Sequence, residues 1–86
     1  MNDNYFCRVC GLLQTQLPWG ESGTEPTFDI CDCCGVEFGY EDSSLYGIRK
    51  MREKWIQAGG KWFNEKLKPK NWNLERQIEN IPLIYR

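Results

Sequence analysis

The sequence predicts a small α+β fold in which two cysteine knuckles, each carried on a short β-hairpin, precede one main and one short α-helix. Three observations point there. The pattern CxxCG occurs twice, as Cys7-Arg8-Val9-Cys10-Gly11 and Cys31-Asp32-Cys33-Cys34-Gly35. Thr27-Phe28-Asp29-Ile30 leads into the second copy and Val36-Glu37-Phe38-Gly39-Tyr40 leads out of it, alternating polar and apolar as a half-buried hairpin does. At Ser43 the composition shifts to SSLYGIRKMREKWIQAGG, with serine caps, no proline and a paired-glycine stop, which are helix signals. The expected organisation is 1–42 as the knuckle-bearing half and 43–86 as a helical half packed against it, the two forming one cooperative unit.

The elements follow in order. Tyr5-Phe6 and Leu12-Leu13 flank the first knuckle as the alternating segments flank the second, and QLPWGESGTEP between them reads as a loop because of its glycines and prolines. The main helix is expected over Leu45 to Ala58. At about 100° per residue its Leu45, Ile48, Met51, Trp55 and Ile56 share one face, which must pack on something. Gly47 weakens the helix by about 1 kcal/mol relative to alanine. Arg52 falls inside the apolar stripe, where it either snorkels toward Glu41 or Asp42 or marks a partner surface. Lys61-Trp62-Phe63 and Leu67 form a short apolar patch ended by Pro69, and Asn71 or Asn73 caps a second helix over Leu74 to Asn80, closed by Pro82. In FGYED, Phe38 and Tyr40 are expected to pack the hairpin on the main helix, Gly39 to permit close approach, and Asp42 to favour the helix N-terminus, with Ser43 or Ser44 as the other candidate caps.

A chain of 86 residues builds only a modest core and needs a staple. Its five cysteines are an odd number, which does not close into disulfides, and MNDNYFCRVC has no basic segment leading into an apolar run. The expected compartment is therefore the reducing cytoplasm. No segment approaches the roughly 18 to 20 apolar residues that span a bilayer. Two residues between thiolates let both sulfurs face one metal across a tight turn, and the glycine that follows suits the left-handed conformation returning the chain. Cys7, Cys10, Cys31 and Cys34 thus form the expected four-thiolate site, a zinc ribbon with one structural Zn²⁺; iron is the alternative metal, since paired CxxCG knuckles also resemble rubredoxin. Cys33 is the odd thiol, either a small buried filler or a redox-active group.

Histidine is absent, which removes Cys2His2 fingers and every histidine-based catalytic pair. With a metal site closed by four thiolates the chain is expected not to be an enzyme. The net charge of −1 conceals a division: up to Asp42 one basic residue stands against eight acidic ones, a charge of −7, and from Ser43 ten basic residues stand against four acidic ones, a charge of +6. Such asymmetry speaks of partners rather than of fold.

CRVCG, the loop, FDICDCCGVEFGYED and WIQAGGKW together resemble a group of small bacterial proteins known as cysteine-rich CPCC proteins. The resemblance covers residues 5 to 62 and matches at Phe38, Gly39, Tyr40 and Asp42; it departs at Arg8 and Asp32, where the group has proline. Some proteins of this kind resemble immunity proteins encoded beside secreted bacterial toxins, including contact-dependent inhibition systems. What the resemblance implies is a protein-binding module that neutralises a cognate toxin. Glu37, Glu41, Asp42 and Arg52 are the candidate partner-binding residues, with Glu21 and Glu25 as further acids that could enter a basic cleft. The alternative expectation is a nucleic-acid-binding protein using the basic half, with Arg49, Lys50, Lys54, Lys61, Lys66, Lys68 and Lys70 for phosphates and Trp62 and Trp72 as stacking platforms.

Overall fold

The computed structural model describes residues 3–86; Met1 and Asn2, the start of the expected first half and of the stretch read for a leader, lie outside the described residues. Each knuckle closes by the same pair of backbone bonds. Gly11 N donates to Cys7 O and Cys7 N to Leu12 O, both at 2.9 Å, and Gly35 N donates to Cys31 O and Cys31 N to Val36 O, again at 2.9 Å. Both glycines have φ of 81°, a conformation that a Cβ would strain.

The expected β-hairpins are not there. Among the described residues no strand forms; each knuckle carries a single antiparallel bridge, Phe6 with Leu13 and Ile30 with Glu37. The chain is therefore not an α+β zinc ribbon, and its regular structure consists of helices and 3₁₀ turns. Local geometry gives the reason. The 3₁₀ turn Asp3–Tyr5 curls the chain before the first knuckle. Before the second, Phe28 takes φ of 64°, so the period-2 alternation breaks there. Phe28 N donates to Phe38 O and Phe38 N to Asp29 O, two residues against one as in a bulge. Beyond the bridge Tyr40 N turns back to Glu37 O. Leu13 and Ile30, apolar members of the supposed strands, are 48% and 46% exposed, so no common face holds a sheet together.

Helix α1 spans Leu45–Gln57. Ser44 is its N-cap, its Oγ accepting from Gly47 N at 3.0 Å, and the C-terminus closes with Gly59 N to Ile56 O and Gly60 N to Trp55 O. These are the paired bonds of a Schellman motif, with Gly59 and Gly60 both at positive φ. Ile48 and Trp55 are buried on its inner face, Met51 packs against the core, and Leu45 and Ile56 fall at the margin of the stripe. Gly47 has its own reason to be glycine: a Cβ there would strike the Glu41 carbonyl oxygen. Helix α2, Leu74–Ile78, is capped by Asn73 and is shorter than the spacing predicts. After Ile78 the bonds run three residues back, Asn80 N to Gln77 O and Ile81 N to Ile78 O, so the last turn tightens.

The core is organised on sulfur. All five cysteines are buried together with Val9, Val36, Phe38, Ile48, Trp55 and Trp62. Trp72 joins Trp55 and Trp62 edge-on, with ring centroids 6.3 and 5.8 Å apart, a favourable aromatic geometry. The chain after α1 returns to the second knuckle, where Phe63 N donates to Cys33 O at 2.9 Å and Asn64 N to Asp32 O at 2.8 Å.

Candidate metal centre

The two matched turns bring Cys7, Cys10, Cys31 and Cys34 together, with all four Sγ atoms within 4.8 Å of one another. Cys7 pairs with Cys34 and Cys10 with Cys31, each at 3.7 Å between sulfurs. A disulfide would need about 2 Å, and the cysteines are free. Four sulfurs about 2.3 Å from a central ion would be separated by tetrahedral edges of about 3.8 Å, so the donor set, the spacing and the burial all fit one metal ion. Those four residues would hold it, and the ion's contribution would be to neutralise and tie together four thiolates in a site with no open position.

Without a metal the burial is costly, and the thiols respond accordingly. Burial pushes Cys10 and Cys34 well above the ordinary thiol range. Cys31 is held far down, first by the Cys10 thiol and then by those of Cys34 and Cys7, with the Cys34 backbone N–H acting the same way. A cation is the group that would allow all four ligands to be thiolates together. Gln14 Nε2 also reaches Cys31 Sγ at 3.5 Å.

Cys33 is buried but stands outside the four-sulfur set. Its sulfur accepts from Gln77 Nε2 at 3.2 Å. The same amide nitrogen donates to Cys10 O at 3.1 Å, and Gln77 Oε1 accepts from Trp72 Nε1 at 2.7 Å. Gln77 did not emerge from the sequence reading, although a signal exists: it sits among Leu74, Ile78 and Ile81 on the apolar face, where an amide must have partners.

The four residues expected to meet a partner do not form one surface. Asp42 is fully buried, with Oδ1 accepting from Gly39 N at 2.7 Å and Oδ2 from Trp19 Nε1 at 2.8 Å. It braces the loop that carries Trp19, and the helix cap falls to Ser44. Glu41 Oε1 accepts from Glu37 N at 2.8 Å. Arg52 does not reach Glu41 or Asp42. Its guanidinium donates to Val9 O at 2.7 Å, Arg8 O at 2.8 Å, Tyr85 O at 2.6 Å and Arg86 O at 3.3 Å, tying the first knuckle to the C-terminal residues. Arg8, placed where the resembled pattern has proline, lies between Trp19 and Tyr85 with its guanidinium carbon 4.1 and 4.3 Å from the ring centroids. Tyr40, expected to pack, is 72% exposed.

Fold and site together define a small cysteine-rich protein with four cysteines positioned to bind a metal. Compared with known proteins, the chain is 51% identical over 72 residues to the uncharacterized protein YoaQ of Bacillus subtilis (strain 168), covering 64% of this chain and 59% of that one. It is 35% identical over 77 residues to the uncharacterized protein YozI of the same organism, covering 70% of this chain and 63% of that one. The chain thus spans about three fifths of the length of both relatives. No family model matches it, and no solved structure does. Among the described residues no helix is long and apolar enough to cross a membrane.

Proposed function

We propose that the chain is a non-enzymatic protein-binding module stapled by one structural Zn²⁺, and that in its most specific form it binds and neutralises a toxin domain. The observation that carries this reading is the separation of the buried sulfur site from the exposed aromatic side chains. The sulfurs of Cys7, Cys10, Cys31 and Cys34 close on each other, while the large side chains Phe28, Tyr40, Tyr46 and Phe63 lie outside the core. A metal held in that way organises and does not react, whereas exposed aromatics are the usual anchors of protein interfaces. Phe28 is held outward by a strained backbone, and its ring covers Gly39 next to Tyr40. The acids Glu21, Glu25 and Asp29, exposed on the same half of the chain, favour a basic partner and would speed its approach.

Native mass spectrometry of the protein drawn gently from its host lysate tests this, because metal and bound chains are weighed together. One zinc with a stoichiometric second polypeptide, lost in a Phe28→Ser, Tyr40→Ser double variant that keeps its zinc, is the expected result. Zinc without a companion chain contradicts the protein-binding reading.

A nucleic-acid role has one specific observation in its favour. A groove of about 350 Å³ beside α1 is bordered by Lys54, Lys61, Trp62 and Phe63, and the Lys68 ammonium lies 5.2 Å from the centroid of the Trp72 ring. Cations interleaved with aromatics suit single strands. Fluorescence anisotropy with labelled single-stranded oligonucleotides decides it: salt-sensitive binding lost in Lys54→Glu supports this second reading, and no binding at low salt removes it.

A further inference from the structure

Five thiols are packed around a site that takes four. Cys33 and Cys34 are adjacent and both buried. A metal ion choosing between them gains nothing from burial, and a shift of one residue in the second knuckle would exchange one sulfur for the other. We propose that Gln77 decides the choice, acting as a positioning residue that holds the Cys33 sulfur out of the coordination set and leaves Cys34 as the ligand. The proposal rests on the metal-binding reading above.

The amide is fixed from both ends. An indole N–H only donates, so the Trp72 bond at 2.7 Å requires the Gln77 carbonyl oxygen to face the ring and turns the NH₂ group toward sulfur. That group has two hydrogens, and the structure gives each an acceptor: Cys33 Sγ at 3.2 Å and Cys10 O at 3.1 Å. The backbone is fixed as well. Gly11, lacking a Cβ, lets the Gln77 carbonyl approach the first knuckle, and Phe63 N holds Cys33 O at 2.9 Å. An N–H pointed at a sulfur lone pair satisfies it without adding charge, and that sulfur is then oriented toward the amide and away from the other four. Outer partners of this kind orient the ligands of metal sites. Here the orienting group acts on the thiol that must not ligate.

The test uses the zinc-loaded full chain and N-ethylmaleimide, which alkylates free thiols much faster than metal-bound ones. Chains that carry one adduct and still retain zinc are isolated by native mass, and fragmentation assigns the adduct to Cys33 or Cys34. In the unmodified protein the adduct is expected on Cys33. In Gln77→Leu it is expected to divide between Cys33 and Cys34. In Trp72→Phe, which removes the donor that orients the amide, it is expected to divide to a smaller extent, and this variant serves should Gln77→Leu fail to fold. An adduct confined to Cys33 in the folded variants, as in the unmodified protein, overturns the proposal while leaving the metal site standing. An unmodified protein that retains no zinc overturns the metal reading itself.

Discussion

Asp42 and Trp19 are joined by a hydrogen bond of 2.8 Å from the indole N–H to a fully buried carboxylate, whose other oxygen takes the Gly39 N–H. The pair fastens the long glycine- and proline-containing loop to the segment that enters α1. Asp42→Ala would leave two donors without their acceptor, and each unsatisfied group costs about 1–3 kcal/mol. The expected loss in urea denaturation is therefore at least about 2 kcal/mol, with Asp42→Asn losing less because one acceptor oxygen remains. Ser44→Ala, which removes the cap of α1, should cost about 0.5–2 kcal/mol. A smaller loss in Asp42→Ala than in Ser44→Ala would mean that Asp42 does not brace the loop.

Gly47→Ala tests the close approach at the start of α1. Helix propensity alone predicts a gain of about 1 kcal/mol. The new methyl would strike the Glu41 carbonyl oxygen and lie 3.2 Å from Ser44 Oγ, and overpacking of this kind costs about 1–3 kcal/mol. The substitution should thus be neutral to destabilising in thermal unfolding, and a clear gain would contradict the contact.

Arg52 donates to the peptide carbonyl oxygens of Val9, Arg8 and Tyr85 and to Arg86 O, and to no side-chain carboxylate. Lysine keeps the charge but not the planar fork that reaches several acceptors. Arg52→Lys should therefore destabilise by about 1.5–3 kcal/mol, the range for hydrogen bonds to charged groups. Because the three shortest bonds go to neutral peptide carbonyls, most of the loss should persist at high salt, as paired measurements of denaturant midpoints would show. A loss that vanishes at high salt would mean that Arg52 acts through an ion pair.

These residues also mark how much could be read from the sequence. The knuckles were legible because everything that makes them, two thiols, a glycine and bonds between neighbouring peptides, lies within a few positions. The limits of α1 were legible for the same reason: Ser44 and the Gly59-Gly60 pair are local signals. The extent of pairing was not, since the alternation of Thr27 to Tyr40 suits a hairpin and is interrupted only by the left-handed Phe28 and the turn at Tyr40. The bonds of Arg52 were misplaced at Glu41 or Asp42 and Gln77 was missed because their acceptors are distant in sequence, Val9, Arg8, Tyr85 and Arg86 for the one and Cys10 and Cys33 for the other, and a polar residue on an apolar face reveals that it has partners without revealing which. Asp42 showed the same difficulty in reverse, for the local capping rule fitted it and the distant Trp19 took it.

Acid should release the metal and loosen the fold together. Cysteines released on unfolding titrate near about 8.5, while Cys31 is already held below that in the fold by its thiol neighbours and the remaining ligands become thiolates when metal binds. The unfolded chain therefore binds more protons, so stability is present at neutral and alkaline pH and is lost as pH falls. Circular dichroism and zinc release followed together from pH 8 downward should change in one step. Zinc released well before the fold is lost would contradict the coupling.

The most direct measurement of the central claim is a titration of the reduced, metal-free chain with Co²⁺, followed by absorbance and circular dichroism in the same cuvette. The expected result is saturation at one ion per chain, with intense thiolate charge-transfer bands, the visible absorption of a tetrahedral four-sulfur site and a parallel gain of helix; stoichiometric Zn²⁺ then removes the cobalt bands and leaves the helix in place. A metal-free chain that is already fully folded and gives no thiolate bands would show that the four sulfurs are a packed core and not a metal centre.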